Sequence, residues 1–280
     1  MKFTKMQGCG NDYVYVNGFV EKIPQEEKEE LVIKLSDRHF AIGSDGVIFI
    51  NPCDIADFEM EMYNADGSRA EMCGNGIRCV GKYVHDYGLM DKTEFTVASA
   101  GKIKYLTLTL DKEGKAEKIR VNMGEPILES KDVPVISENE QVIDEEIIVN
   151  GKAYKMTCVS MGNPHAVVFM NGVRDMDIEA IGPYFENHER FPKRTNTEFV
   201  EVIDDSHVLM RVWERGTGET LACGTGCCAT AVACILNKKT GRKVDVEVLG
   251  GHIEIEWNEN DNLIYMTGPA KVSFDGEINL

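Results

Sequence analysis

The chain has 280 residues, 43% of them apolar and 28% charged, with a formal net charge of −17, as expected of a globular protein of one or two domains. Its acidic residues are dispersed, as in Glu26-Glu27-Lys28-Glu29-Glu30. Such a surface repels phosphate backbones and anionic lipid, so neither nucleic acid nor membrane is an expected partner. No stretch approaches the ~20 apolar residues that a bilayer span requires. The opening Met1-Lys2-Phe3-Thr4-Lys5-Met6 lacks the apolar run of an export signal. Nine cysteines in such a chain imply free thiols in a reducing, cytoplasmic compartment.

In chain order, the first segment of note is Gly10-Asn11-Asp12-Tyr13-Val14-Tyr15-Val16. It returns 152 positions later as Gly162-Asn163-Pro164-His165-Ala166-Val167-Val168. The same shift lays Val47–Ile50 on Phe199–Val202. Phe58–Tyr63 alternates as a half-buried strand does, and a shift of 150 lays it on Val208–Trp213. That shift also lays Cys73-Gly74-Asn75-Gly76 on Cys223-Gly224-Thr225-Gly226. Residues Ile77–Tyr87 read as a helix stopped by Gly88. Val97–Lys104 and Glu247–Glu254 read as a further pair of equivalent strands. Glycine and proline punctuate the chain at Gly124-Glu125-Pro126, the expected joint between halves. Cys227–Asn237 reads as a second helix, stopped near Gly241, and so uniformly apolar that it must be buried on all sides. Each match is weak alone; the shared order and nearly constant offset establish a two-fold internal duplication. The expected fold is α/β (α+β), with two pseudo-symmetric halves at 1–122 and 123–268, each a curled sheet around a central helix.

In both halves a cysteine stands at a strand-to-helix junction, just before a glycine pair. Glycine lets backbone approach a ligand closely, and the unpaired N–H groups of a helix start suit a carboxylate. The same environment is expected to lower the pKa of a thiol toward neutrality. One such corner suggests a nucleophile or a base. Two, related by duplication, suit inversion at a carbon, where one group removes a proton from one face and its counterpart returns a proton to the other. Backbone N–H groups at both corners would hold the developing enediolate. Cys227 and Cys234, on one helical face with Cys223, read as core packing, as do Cys9, Cys53, Cys79, Cys158 and Cys228. Neither cluster has the C-x2-C spacing usual for zinc, so no metal is expected. A disulfide between Cys73 and Cys223 would be an inactive oxidised form. A thioester mechanism needs one nucleophilic cysteine with a histidine base and leaves the second corner unexplained.

At these residues the chain resembles the diaminopimelate epimerase family. The likeness is carried by Gly8-Cys9-Gly10-Asn11-Asp12, Tyr63-Asn64-Ala65-Asp66-Gly67-Ser68, Met72-Cys73-Gly74-Asn75-Gly76-Ile77-Arg78-Cys79, Gly162-Asn163-Pro164-His165 and Arg194-Thr195-Asn196. It continues through Trp213-Glu214-Arg215-Gly216-Thr217-Gly218-Glu219-Thr220 into Ala222-Cys223-Gly224-Thr225-Gly226. The resemblance implies interconversion of LL- and meso-diaminopimelate, in lysine and peptidoglycan-precursor synthesis, without pyridoxal phosphate, metal or other cofactor. It implies an active site in the cleft between the halves, a homodimer, and a C-terminal strand, within 269–280, that returns to the first half. Carried over, Cys73 and Cys223 are the acid/base pair, with His165 and Glu214 beside them managing protons. Gly74, Asn75, Gly224 and Thr225 hold the reacting carboxylate, Glu214 also binds the ammonium group, Asn64, Asn163, Asn196 and Arg215 read the distal end, and Asn11 is a further pocket residue. Some relatives carry a glutamine contact where this chain has Ser44-Asp45-Gly46, and no site is assigned there. Proline racemases and hydroxyproline epimerases, which share the two cysteines, are the nearest alternative; they usually have histidine after the first Cys-Gly, where this chain has Asn75. A phenazine-type isomerase would lack the cysteine pair. In another class, a thiol redox or metal-binding protein is the alternative that zinc content and thiol titration would separate.

Overall fold

In a computed structural model that describes residues 1–70 and 72–279, the chain divides into two compact units, Met1–Asn122 with Thr267–Leu280, and Met123–Met266. The first begins with strands β1 (Lys2–Gly8) and β2 (Asn11–Asn17), helix α1 (Gln25–Ser36), and strands β3 (Gly46–Asn51), β4 (Phe58–Asn64) and β5 (Arg69–Ala70). Helix α2 (Gly74–Asp86) follows, then β6 (Glu94–Ser99), β7 (Lys102–Leu110) and β8 (Ala116–Gly124). The second contains β9 (Glu145–Val149), β10 (Lys152–Ser160), β11 (Pro164–Phe169), α3 (Gly182–Glu186), β12 (Asn196–Val202), β13 (His207–Glu214) and β14 (Gly218–Thr220). Its second half is α4 (Gly224–Leu236), β15 (Lys243–Val248) and β16 (Gly251–Trp257). The chain passes from the second unit to the first within β17 (Ile264–Pro269) and ends with β18 (Lys271–Glu277).

The duplication is visible in strand direction. In the first unit β18 and β1 are antiparallel, as are β1 and β2; β2 and β3 are parallel, β3 and β4 antiparallel, β4 and β6 parallel, β6 and β7 antiparallel. In the second unit β9, β10, β11, β12, β13, β15 and β16 repeat that series without exception. Each parallel step is a crossover, and the crossover between β4 and β6, or β13 and β15, contains the helix that starts at the cysteine corner. In the second unit α4 packs against β10, β11, β12, β13, β15 and β16. It is accordingly buried at every position from Gly226 to Cys234, as its apolar sequence requires. Helix α2 is more amphipathic and packs against β1, β2 and β7, burying Ile77, Val80, Tyr83 and Val84. Helix α1 packs on β3 and β4 through Val32 and Leu35.

Several expectations need correction. Both central helices begin three residues before the first apolar residue used to place them, so the glycines lie inside the first turn and the cysteines are the N-caps. The stop of α4 is made by Lys238, held at φ 55 with its N–H on Ile235 O, rather than by Gly241. Val97–Lys104 is no single strand: the chain reverses at Ala100-Gly101, both with positive φ, and Ser99 pairs with Lys102. Its counterpart reverses in the same way, with Val248 paired to Gly251. Cys53 is half-buried in the connection between β3 and β4 and is not a core residue.

Candidate active site

In the first unit Cys73 caps α2, with extended backbone at φ −132 and ψ 114. Its sulfur accepts the Gly76 N–H at 3.2 Å, the bond an N-cap side chain makes to an otherwise unpaired helical donor. The thiol donates to Asn11 Oδ1 at 3.1 Å. Asn11 is held by its other end: Nδ2 donates to Asp45 Oδ2 at 2.7 Å, which also accepts the Asp12 N–H at 3.0 Å. Arg38 Nη2 joins Asp45 Oδ1 at 3.0 Å to Asp12 Oδ1 at 2.7 Å, and the Lys5 ammonium closes on Asp12. Because a carboxylate only accepts, Asp45 fixes the Asn11 amide with its oxygen toward the sulfur. Asp45 lies in the Ser44-Asp45-Gly46 segment, to which the sequence assigned no site, and there it holds Asn11. Arg78, with no exposed surface, reaches Gly74 O at 3.2 Å and Pro269 O at 3.2 Å and braces the start of α2. Asn64 donates to Ser68 Oγ at 3.0 Å in the turn after β4.

In the second unit Cys223 caps α4 with nearly the same backbone, φ −116 and ψ 111. Its sulfur lies 3.5 Å from Thr225 Oγ1 and, unlike that of Cys73, makes no capping hydrogen bond to the helix start, while the Glu214 carboxyl group is near enough to act on it. Glu214, the last residue of β13, accepts from the Thr220 hydroxyl on β14. Asn163 Nδ2 donates to Thr225 Oγ1 at 3.3 Å, and Asn163 Oδ1 lies 3.0 Å from His165 Nε2. His165 and Asn196 are register neighbours on β11 and β12. Asn196 spends its amide on backbone, with Nδ2 donating to Pro164 O at 2.8 Å and Oδ1 accepting the Arg215 N–H at 3.0 Å. It therefore positions Arg215, whose guanidinium reaches Lys193 O at 3.0 Å. The second unit brings His165, Asn163, Thr225 and Cys223 into one connected group, with Glu214, Asn196 and Arg215 beside it.

The electrostatics of this corner run against the sequence expectation. Burial pushes the Cys223 thiol well above its ordinary value, and the nearby Glu214 and Glu198 carboxylates push it the same way. The Thr225 and Gly226 donors oppose this and lose: the desolvation of a buried thiolate outweighs one backbone N–H and the helix end. Burial also raises Glu214 above the ordinary carboxylate range. Burial drives Cys79 and Cys234 up to about 12, which keeps them as inert packing thiols.

The sequence profile of the diaminopimelate epimerase family matches residues 3–129 and 157–273. Diaminopimelate epimerases from Methanococcus maripaludis (56% identical over 280 residues) and Agathobacter rectalis (58% over 287) align over 100% of both chains. The chain belongs to the diaminopimelate epimerase family. In fold it is similar to a phenazine biosynthesis protein of the PhzF family from Bacillus anthracis, with TM-score 0.70 at 17% identity over 100% of this chain and 99% of the other. It is likewise similar to a hydroxyproline epimerase from Agrobacterium vitis, with TM-score 0.68 at 14% identity over 99% and 90%. Those two likenesses concern the fold alone.

For this family member, sequence reading passed over the buried acids Glu198 and Glu186 and the partly exposed Asp45. Glu186 accepts from Trp213 Nε1 at 2.8 Å, Arg194 Nη1 at 2.8 Å and the Gly216 N–H at 2.9 Å, and so clamps the turn that carries Arg215. The one usable signal was Glu198, an acid inside the otherwise buried run Asn196–Val200 of β12. Among the described residues, His207, Asp245 and His252 form a group of metal-ligand type on one face of β13, β15 and β16. Within it His252 Nδ1 is bonded to Asp245 at 2.9 Å, while His207 Nε2 lies 3.3 Å from Glu247 without forming a hydrogen bond among the described residues.

Proposed function

We propose that this member of the diaminopimelate epimerase family interconverts LL- and meso-diaminopimelate by two-base proton transfer between Cys73 and Cys223. The observation that carries the reading is the repeated corner: in each unit a cysteine three residues past an equivalent strand caps an equivalent helix, in a chain that aligns end to end with diaminopimelate epimerases. Two groups of one kind are suited to exchange the duties of acid and base in an inversion, and a duplicated fold supplies them. One thiolate takes the α-proton; the opposite thiol delivers its own proton to the other face. The backbone N–H groups of Gly74-Asn75 and Gly224-Thr225 receive the substrate carboxylate and the charge that develops on it. Glu214, raised by burial and near Cys223, exchanges a proton with that thiol and binds the substrate ammonium group. The raised Cys223 thiol is suited to the donor role on arrival of substrate. Asn64, Asn163, Asn196 and Arg215 read the distal amino-acid end, with the guanidinium on its carboxylate, and Asn11 orients Cys73. No pyridoxal or metal enters these steps. We further propose that the enzyme works in the cytoplasm as a homodimer; among the described residues no helix is long and apolar enough to cross a membrane.

The test is incubation of the purified protein with LL-diaminopimelate in deuterated water, followed by chiral chromatography and mass spectrometry at low conversion. Because the delivering thiol exchanges with solvent beforehand, meso product should carry deuterium while residual substrate remains protiated. Protium-rich product, dependence on added pyridoxal phosphate, or inversion that survives in Cys73→Ala or Cys223→Ala would each overturn the two-thiol reading.

A further inference from the structure

Alternation in β15 turns Val244, Val246 and Val248 inward, where they are buried, and leaves Asp245 and Glu247 on the opposite face. β15 lies between two strands. It pairs in parallel with β13, where His207 stands opposite Asp245, and antiparallel with β16, where His252 stands opposite Glu247. Side chains opposite one another in register share a face of the sheet. Three strands fixed by their backbone ladders therefore present two imidazoles and two carboxylates at one place. The ring centroids of His207 and His252 are 6.0 Å apart, and one ligand atom from each of His207, Asp245 and His252 lies within 4.8 Å of the other two. His207 opens β13 and Glu214 closes it, roughly 23 Å away at ~3.3 Å per residue. The group is separate from the candidate active site.

A cluster of surface ion pairs is the ordinary reading of such residues, and two observations tell against it. The first is His207 Nε2, a buried nitrogen that makes no hydrogen bond among the described residues although Glu247 Oε2 is 3.3 Å away. Arg174 holds the other oxygen of that carboxylate at 2.6 Å. The second is spacing. Ligand atoms about 2.1 Å from a tetrahedral Zn2+ stand roughly 3.4 Å from one another. The Asp245–His252 edge is already closed at 2.9 Å, and the longest edge must shorten by about 1.4 Å at most, the difference between 4.8 Å and that spacing. Partly exposed side chains cover that distance by small rotations. Two imidazoles with a carboxylate suit transition ions such as Zn2+ and Ni2+, whereas Mg2+ and Ca2+ require oxygen ligands. We propose that His207, Asp245 and His252 form a binding site for a divalent transition-metal ion of the Zn2+ and Ni2+ class, with Glu247 adding negative charge beside it. The ion joins β13 and β15, the parallel strands that the α4 crossover connects, to each other and to β16. Its role is structural and does not depend on the two-thiol chemistry. Cysteine spacing could not announce it, because the ligands come from three strands and the two histidines are 45 residues apart.

Isothermal titration calorimetry of the full-length, reduced protein with Ni2+ tests the site. One ion should bind, and its affinity should fall at least about tenfold in each of His207→Asn, Asp245→Asn and His252→Asn, since even an outer partner of a metal ligand is worth that much. Mg2+ should not compete. Ni2+ at about a hundredfold excess over its Kd should raise the wild-type Tm by about 5 °C, and the Tm of each variant by about half as much or less. Binding that survives both histidine substitutions places the ion on the thiols and overturns the proposal. Affinity no better than about 1 mM, or Mg2+ competing on equal terms, overturns it as well. Should a variant fail to fold, modification of the wild type by diethyl pyrocarbonate, mapped by peptide mass spectrometry, decides. Ni2+ should suppress modification of His207 and His252 and leave that of the exposed His39 unchanged; equal modification of all three with and without the ion overturns the site.

Discussion

One added methyl separates the two corners. Gly226 and Gly76 occupy the same position in the first turns of α4 and α2, and neither has positive φ, so space alone decides the outcome of substitution by alanine. In Gly226→Ala the new Cβ would stand 2.7 Å from Glu198 Oε1, 3.2 Å from Cys223 Cβ and 3.4 Å from its sulfur. Ordinary contact begins near 3.4 Å, so the carboxylate must retreat by about 0.7 Å, the difference of those two distances, while held on His165 with no exposed surface. Alanine returns up to about 1 kcal/mol of helix propensity. Overpacking costs about 1–3 kcal/mol, and weakening a hydrogen bond to a charged group costs about 1.5–3 kcal/mol if it is lost. The net is a destabilisation of about 1–3 kcal/mol, or a fall in Tm of about 2–5 °C for a chain of this size. Gly76→Ala instead meets Ile48 Cδ1 at 2.8 Å, the free end of a side chain that can turn aside. It should stay within about 1 kcal/mol of the wild type, propensity offsetting a small repacking. Scanning calorimetry of both variants, with kcat/KM on diaminopimelate measured alongside, makes the comparison. A Gly226→Ala protein that melts at or above the wild type, or a larger loss in Gly76→Ala, would refute the reasoning that Glu198 is rigidly placed under the corner.

Arg215→Ala should lower kcat/KM by about ten- to a hundredfold, the loss of a charge-assisted contact; near-wild-type steady-state kinetics would remove Arg215 from the distal end. Glu214 is raised in the folded protein by burial, so the stability it contributes is present below the unfolded carboxylate pKa and is lost as pH rises through the folded one. The Tm of Glu214→Gln relative to wild type should therefore increase from pH 4.5 to pH 8, and a difference that does not vary with pH contradicts the assignment. Asp45→Ala frees the Asn11 amide to turn and should reduce kcat/KM by about three- to tenfold, one neutral hydrogen bond's worth, whereas unchanged kinetics would show that Asn11 is oriented by something else.

The duplication, the two central helices and the two Cys-Gly-x-Gly corners were legible in the sequence because each is a local pattern: strand alternation, an apolar helical run, a cap residue before glycines. Repetition made them persuasive, since two halves under the same strand-pairing constraints retain the same order of signals. The ends of Val97–Lys104 were misread for the converse reason, as a tight turn between two alternating strands leaves the alternation nearly unbroken. Tertiary structure alone decided how each corner is tuned. Asn11 meets Asp45 across 34 residues and Cys73 across 62, and His165 meets Glu198 across 33; no periodicity encodes such pairs. The direction of the Cys223 shift was likewise beyond the sequence, because cap and dipole are local and push the thiol down, while burial and the Glu214 and Glu198 carboxylates are products of packing and push it up. Desolvation is set by everything that surrounds a group, and only the folded chain determines what that is.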